Sequence, residues 1–223
     1  TATVNDSDYN ALNGILTVAA GQTTGTITVQ VIGDVRNEVT ENFLVNLSSP
    51  GGGQDGTPTI ADPQATATIT DDDGTPGLVL NDVNVNEGDP LVFTLALNAV
   101  SGQTVTVEFN TVAGTALEGT DFAANSGTVT FAPGETQKTI TVVSLEENLN
   151  EADEAMTLVL SNPSNANIVD GTATGTIGND DLVAISIADL SLAEGSNGTT
   201  NFDLIVTLSN PSDAAVTVDF ATA

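Results

Sequence analysis

Glu87, Asp121, a loop carrying Glu146, Glu147, Glu151, Asp153 and Glu154, and the pair Asp180–Asp181 are the residues whose types and spacing point to chemistry. Each group falls at the end of a short apolar stretch or in the connection after it. Each also has a counterpart elsewhere in the chain. Glu194 answers to Glu87, Asp8 to Asp121, Asp34, Glu38 and Glu41 to the loop, and Asp71, Asp72 and Asp73 to the closing pair. Carboxylates held a few ångströms apart repel one another and are driven to protonate unless a cation sits among them. Several hard oxygen donors in one place are the ligand set of calcium, which takes about six to eight of them.

The charge balance sharpens this reading. Against 30 Asp and Glu there are 2 basic side chains, Arg36 and Lys138, for a net charge of −28. The carboxylates therefore cannot in general find a protein cation, and divalent ions become the missing counter-charge. No basic patch exists to neutralise phosphates, so nucleic acid and anionic membrane surfaces are excluded as partners. Cys and His are both absent. That removes disulfides, thiolate nucleophiles, zinc-finger ligands and any Ser-His triad. A paired-carboxylate hydrolase has the acids it needs, but one Tyr and no Trp leave little for a sugar-stacking cleft. The sequence reads as that of a non-enzyme. No apolar run approaches the roughly 18 residues of a membrane-spanning helix, and the first residues read as the interior of a domain rather than as a leader.

The elements that must position the acids emerge when the chain is compared with itself. Asp8-Tyr9 and Gly14 to Val18 recur as Asp121-Phe122 and Gly127 to Phe131, 113 positions on. Glu38 to Leu47 recurs as Glu151 to Leu160 at the same spacing. Thr68 to Asp73 answers to Thr176 to Asp181, and Val105 to Phe109 to Val216 to Phe220. A period of roughly 110 residues is the size of one β-sandwich domain. Within the complete repeat, Leu91–Leu97, Thr104–Phe109, Gly127–Phe131, Lys138–Val143, Ala155–Leu160 and Thr172–Ile177 are short alternating stretches bounded by Gly, Pro, Asn, Asp or Ser. They predict strands. Ala132-Pro133-Gly134-Glu135 predicts a tight turn between two of them. The fold class is all-β: tandem antiparallel immunoglobulin-like sandwiches with about seven strands each.

The phase of the repeat is unusual. Residues 77–181 make one complete repeat, residues 1–76 the C-terminal part of a preceding one, and residues 182–223 the N-terminal part of a following one. The ends are complementary pieces of a single domain. Half a sandwich leaves core and strand edges uncovered, so residues 182–223 of one copy are expected to complete a sandwich with residues 1–76 of the next. Either a covalent tandem array or a non-covalent head-to-tail polymer satisfies this, and such a contact gives a filament because it does not close.

A plainer reading of the acids is a solvated surface of the kind that suits salty surroundings. Recurrence at fixed loop positions favours a site. Individual residues carry less. Asp153 is expected to face solvent, Glu146 is open between the two readings, and Glu108 and Asp219 read as outward-facing strand residues. Tyr9 and Phe122 read as core anchors, and Gly88 and Gly195 as turn glycines.

The Glu87-Gly88-Asp89 turn, the Gly119-Thr120-Asp121-Phe122 step and the segment Gly127 to Gly134 resemble a Calx-beta module. So do the acidic loop ending in Glu151 to Glu154 and the closing Asn179-Asp180-Asp181. The resemblance covers essentially the whole chain. It implies an immunoglobulin-like sandwich that binds several calcium ions at one end. The implied calcium ligands are Glu87, Asp121, Glu147, Glu151, Glu154, Asp180 and Asp181 in the complete repeat. In the divided repeat they are Asp8, Asp34, Glu38, Glu41, Asp71, Asp72 and Asp73, with Glu194 from the other end. Glu146 and Glu147 stand where the family often has Asp, and Asn179 replaces the first of three Asp, so the complete repeat is expected to hold fewer ions, or hold them more weakly, than the divided one. The expected role is a calcium-stiffened structural module of an extracellular or cell-surface fibre or stalk of a bacterium. The alternatives are the repeat region of an adhesin and a calcium-sensing regulatory module.

Overall fold

The computed structural model describes residues 2, 8–54 and 56–223. Its elements are strands, and no helix occurs among the described residues. Nine strands between Gly77 and Gly178 build a two-sheet sandwich. They are β3 (Gly77–Leu80), β4 (Val83–Asn86), β5 (Leu91–Leu97), β6 (Val105–Ala113), β7 (Ser126–Phe131), β8 (Gln137–Val142), β9 (Glu154–Ser164), β10 (Asn167–Asp170) and β11 (Thr172–Gly178). One sheet has the order β10-β3-β5-β8 and the other β4-β11-β9-β6-β7.

The alternation in sequence is the reason for this packing, because successive side chains of a strand point to opposite faces. Leu91, Phe93, Leu95 and Leu97 of β5 are buried, with Leu78 and Leu80 on β3 and Ile140 and Val142 on β8. From the facing sheet come Val105, Val107, Phe131, Met156, Leu158, Leu160, Ala173 and Ile177. These residues form one continuous core. The sheets approach so closely at Gly175 that a Cβ there would meet Leu91 Cδ2 and Phe93 Cζ at 2.8 Å and Met156 Sδ at 2.9 Å. An added methyl group would overpack that point.

Six of the strands lie where the alternation places them. The structure adds three that are short and lack a strong pattern. The first strand of the sandwich is divided: β3 lies in one sheet and β4 in the other. Each half runs parallel to a late strand, β3 beside β10 and β4 beside β11. The remaining pairings are antiparallel. The turn at 132–135 is present, with Gly134 at φ +87° and the Glu135 N–H donating to the Ala132 carbonyl at 2.9 Å. It carries the chain from one sheet to the other, since β7 and β8 are not neighbours.

The flanking segments are sparser. β1 (Glu41–Asn46) pairs with β2 (Gln64–Ile69), and β12 (Ile185–Ile187) with β13 (Val206–Leu208). Tyr9 stacks on Phe43 with ring centroids 4.3 Å apart. Large apolar side chains lie exposed along both segments, among them Leu12, Ile15 and Val35 on one side and Phe202, Ile205 and Phe220 on the other. Among the described residues, no strand of residues 8–73 pairs with a strand of residues 182–223.

Candidate metal centre

Strand register alone brings three of the acidic groups to one end of the sandwich. β4 runs parallel to β11 with Asn86 opposite Gly178, so Glu87 and the segment Asn179 to Asp181 leave the sheet at the same edge. β9 runs antiparallel to β11 with Glu154 opposite Ile177, so Glu154 starts its strand there. β6 ends at Ala113 opposite Met156 and leads into the loop that holds Asp121. That loop is anchored by Phe122, which is 1% exposed and bridges to Ser144. The Leu145 N–H donates to the Asp121 carbonyl at 2.9 Å, which sets the loop of Glu146, Glu147 and Glu151 alongside.

Within this end, one carboxylate oxygen from each of Asp121, Glu147 and Glu151 lies within 4.8 Å of the other two. Asp121 is pinned further by the Leu117 N–H, which donates to its Oδ2 at 2.5 Å. Glu87 is 7% exposed and Asp121 likewise 7%. Burial, followed by the negative charge of Glu147, Glu151, Asp180 and Asp181, pushes the Glu87 carboxyl up to about 7. Glu154 is pushed up to about 8, by burial first, then by its hydrogen bond to Asp121 and the charges of Asp121, Glu151 and Glu147. Glu151 is raised by burial, by the charge of Glu147 and a hydrogen bond to it, and by the charges of Asp121 and Asp213.

Buried oxygens left without a donor are costly, by roughly 1–3 kcal/mol each and more when charged. Glu87 Oε2, Glu147 Oε1, Glu154 Oε2 and Asp181 Oδ2 are all in that position. The two basic side chains are engaged elsewhere. Lys138 Nζ pairs with Glu135 Oε2 at 2.7 Å, and Arg36 Nη1 with Glu38 Oε1 at 3.7 Å. A group of hard oxygen donors, four of them buried without a donor, with no protein cation among them fits a calcium ion.

Neighbouring residues hold the frame, of which Asn150 and Ser144 were not singled out in sequence. The Asn179 side chain accepts from the Glu151 N–H at 3.1 Å and donates to the Asp181 carbonyl at 3.3 Å. An aspartate could make only the first of these bonds. Asn150 Nδ2 donates to the same Asp181 carbonyl at 2.5 Å. Ser144 Oγ accepts from the Gly88 N–H at 3.2 Å. Asp153 is exposed, and its Oδ1 accepts the Asn179 N–H at 3.2 Å. Gly88 holds φ +73°, and a Cβ on it would collide with Glu146 Oε2, so Glu146 lies over the Glu87 turn. Of these, Asn150 had a usable signal, since Asn37 precedes it by one repeat spacing.

The counterpart set in residues 8–73 is assembled in part. Asp8 is 8% exposed, and its carbonyl accepts the Ile32 N–H at 2.9 Å. Glu38 is raised by burial and by Asp34, with Arg36 opposing and Asp8 and Glu41 adding. The Asp73 carboxyl is raised by desolvation and then by Asp71, Asp72 and Asp34. Asp8, Asp34, Glu38, Glu41 and Asp71 to Asp73 thus share one electrostatic neighbourhood. Glu194 lies in the segment 182–223, exposed, with its carbonyl accepting from Thr200 Oγ1 at 2.6 Å.

Comparison with known proteins places these observations. The Calx-beta domain matches residues 1–73 and again residues 71–181. The chain is 28% identical over 201 residues to adhesion G-protein coupled receptor V1 of Danio rerio, covering 87% of this chain and 3% of that protein. It is 27% identical over 226 residues to extracellular matrix protein 3 of Lytechinus variegatus, covering 92% and 7%. A stretch of 59 residues is 48% identical to sodium/calcium exchanger 1 of Canis lupus familiaris, covering 26% and 6%. The chain therefore spans only a few per cent of the length of these relatives. Among solved structures, the apo form of the Calx CBD1 domain matches 48% of this chain and 100% of its own, with a TM-score of 0.46 and 24% identity.

Proposed function

This chain belongs to the Calx-beta family, and from that membership we propose that it is a calcium-binding structural segment of an extracellular tandem array. The observation that carries the reading is the set of buried oxygens without donors on Glu87, Glu147, Glu154 and Asp181, with both basic side chains paired to other acids. Calcium is the cation that the family's domains bind. Here Glu87, Asp121, Glu147, Glu151, Glu154, Asp180 and Asp181 are the ligands of the complete set. Asp8, Asp34, Glu38, Glu41, Asp71, Asp72 and Asp73 form the second set, which awaits a glutamate of the Glu194 type. The ion would supply the positive charge that lets these side chains ionise together. The protein's part is to hold them in place through the β4–β11–β9 register and the Asn150 and Asn179 staples.

In this reading residues 77–181 are one complete module, residues 1–76 the end of a preceding module, and residues 182–223 the start of a following one. The exposed apolar faces of both flanking segments support their completion by a neighbouring repeat. An extracellular location draws support from the adhesion receptor and matrix protein to which most of the chain is similar. The match to an exchanger favours a second reading, calcium sensing, in which the ion changes the shape of the array and does not merely stiffen it.

Calorimetric titration of the whole chain with calcium tests the proposal. Uptake of more than one ion, abolished at the complete set by Asp121→Asn with Glu151→Gln, is expected. Absence of binding heat in the unaltered chain, or unchanged stoichiometry in the double variant, contradicts it. Small-angle scattering in calcium and in chelator separates stiffening, with similar mean dimensions, from sensing, with a large change.

A further inference from the structure

The joints on either side of the sandwich are built alike. At the first, Asn37 forms a parallel bridge with Ser101 in the β5–β6 connection. The Asn37 N–H donates to the Val100 carbonyl at 3.3 Å and the Gly102 N–H to the Asn37 carbonyl at 2.9 Å. At the second, Asn150 bridges in parallel to Ser212. The Asn150 N–H donates to the Pro211 carbonyl at 3.0 Å and the Asp213 N–H to the Asn150 carbonyl at 3.1 Å. Asn37 and Asn150 occupy equivalent repeat positions, as do Ser101 and Ser212. Each asparagine also donates to the closing acidic segment, Asn37 to the Asp73 carbonyl at 3.0 Å and Asn150 to the Asp181 carbonyl at 2.5 Å. One asparagine thus ties the acidic end of a sandwich to the segment that follows.

The joints differ in the residue this clamp delivers to the glutamate after the asparagine. At the first joint it is Gly102, where a Cβ would meet Glu38 Oε1 at 2.5 Å and Cγ at 2.6 Å. No side chain is present, and Arg36 already faces Glu38. At the second joint the glutamate is Glu151, the delivered residue is Asp213, and the position equivalent to Arg36 is Leu149. A cation is removed and a carboxylate is added at the same point. Glu151 is one of the three acids whose oxygens converge. Beside it lies Glu87, more than nine-tenths buried, whose Oε2 has no donor and which feels the charges of Glu147, Glu151, Asp180 and Asp181.

We propose that Asp213, carried by the segment after the sandwich, is a calcium ligand of the Asp121–Glu147–Glu151 cluster, so that one ion bridges the second joint, whereas no such ligand crosses the first, where Gly102 holds that position and Arg36 faces Glu38. The proposal rests on the calcium reading of that cluster. The charge of Asp213 already acts on Glu151, which agrees with their proximity. Each carboxylate in a calcium site raises affinity, and a ligand from across a joint makes the joint's order depend on the ion.

The test uses the whole chain, which lacks cysteine and so accepts spin labels at Thr128→Cys and Thr199→Cys without interference. Calcium affinity is read by competition with a chromophoric chelator, and joint order by the width of the label-to-label distance distribution. Asp213→Asn is expected to weaken the tightest-affected site about tenfold and to broaden the distribution in calcium to its width in chelator. Asp189→Asn, an exposed acid in the same segment, controls for net charge and is expected to change neither. If Asp213→Asn behaves like Asp189→Asn while Glu151→Gln loses the site, the bridging role is overturned and the calcium reading stands. If the unaltered chain binds no calcium, both fall.

Discussion

The acidic set of the complete sandwich and its counterpart in residues 8–73 occupy equivalent repeat positions, with Glu147 in place of Asp34 and Asn179 in place of Asp71, and their electrostatics differ. In the complete set Glu87 is buried among four other acids and its carboxyl is pushed up to about 7. In the counterpart the corresponding glutamate is Glu194, which sits on another segment. There Arg36 takes up part of the negative charge by pairing with Glu38. The first strand of a sandwich thus does more than fill an edge. By running parallel to β11, it brings Glu87 to the acidic end, whereas among the described residues of 8–73 no such strand occurs and Arg36 faces Glu38. The convergence of carboxylates follows strand completeness more closely than the number of acids, so the complete set, for which Glu146, Glu147 and Asn179 led to an expectation of weaker binding, is predicted here to be the stronger.

The largest expected effect breaks the comparison at its stronger side. Each filled site adds about 2.7 kcal/mol when free calcium is a hundredfold above the dissociation constant, and 1 kcal/mol shifts the melting of a domain this size by about 4–8 °C. Asp121→Asn should therefore remove about 10 °C or more of calcium-dependent stabilisation. Asp34→Asn, the change on the weaker side, should remove less than half as much. Equal losses in differential scanning calorimetry would erase the distinction.

A pH series in chelator gives the next largest effect. Glu87 and Glu154 have folded-state values near 7 and 8, against 4.5 for an ordinary glutamate. Between 4.5 and those values the folded protein holds protons that the unfolded chain has released, so stability falls as pH rises through this window. The calcium-free protein should melt lower at pH 8 than at pH 5. Calcium competes with the same protons, so its affinity should rise over the same interval. A calcium-free melting temperature that rises with pH would show that these carboxyls are not held together as described.

The smallest effect sharpens the weaker side. Arg36→Gln removes the cation beside Glu38, a part-exposed pair of the kind that contributes about 0.2–1 kcal/mol. Calcium affinity of the 8–73 set should rise by up to about fivefold, with that of the complete set unchanged. Titration of the variant checks both halves of the statement.

Much of this was legible in the sequence, for definite reasons. Leu91–Leu97 and Ala155–Leu160 alternate cleanly because each has one face on the core, and their strands lie where expected. The divided first strand was not legible, because β3 and β4 are only four residues each and their partners lie far along the chain. Val216–Phe220 repeats the pattern of β6 but forms no strand. β6 is held between β7 and β9, and among the described residues no strand pairs with Val216–Phe220. At the site, recurrence picked out the loop acids. It could not reveal Asn179 as a staple or Asp213 as a neighbour of Glu151, since both depend on which loops meet in space.

The central claim is that the acids at the end of the sandwich form a calcium site and not merely a charged surface. Thermal unfolding of the whole chain at pH 7.5, in calcium and in chelator, tests it most directly. The account predicts a transition raised by about 10 °C or more in calcium and restored to its lower value by chelator. Coincident transitions in the two conditions would contradict it and leave the carboxylates as solvated surface charge.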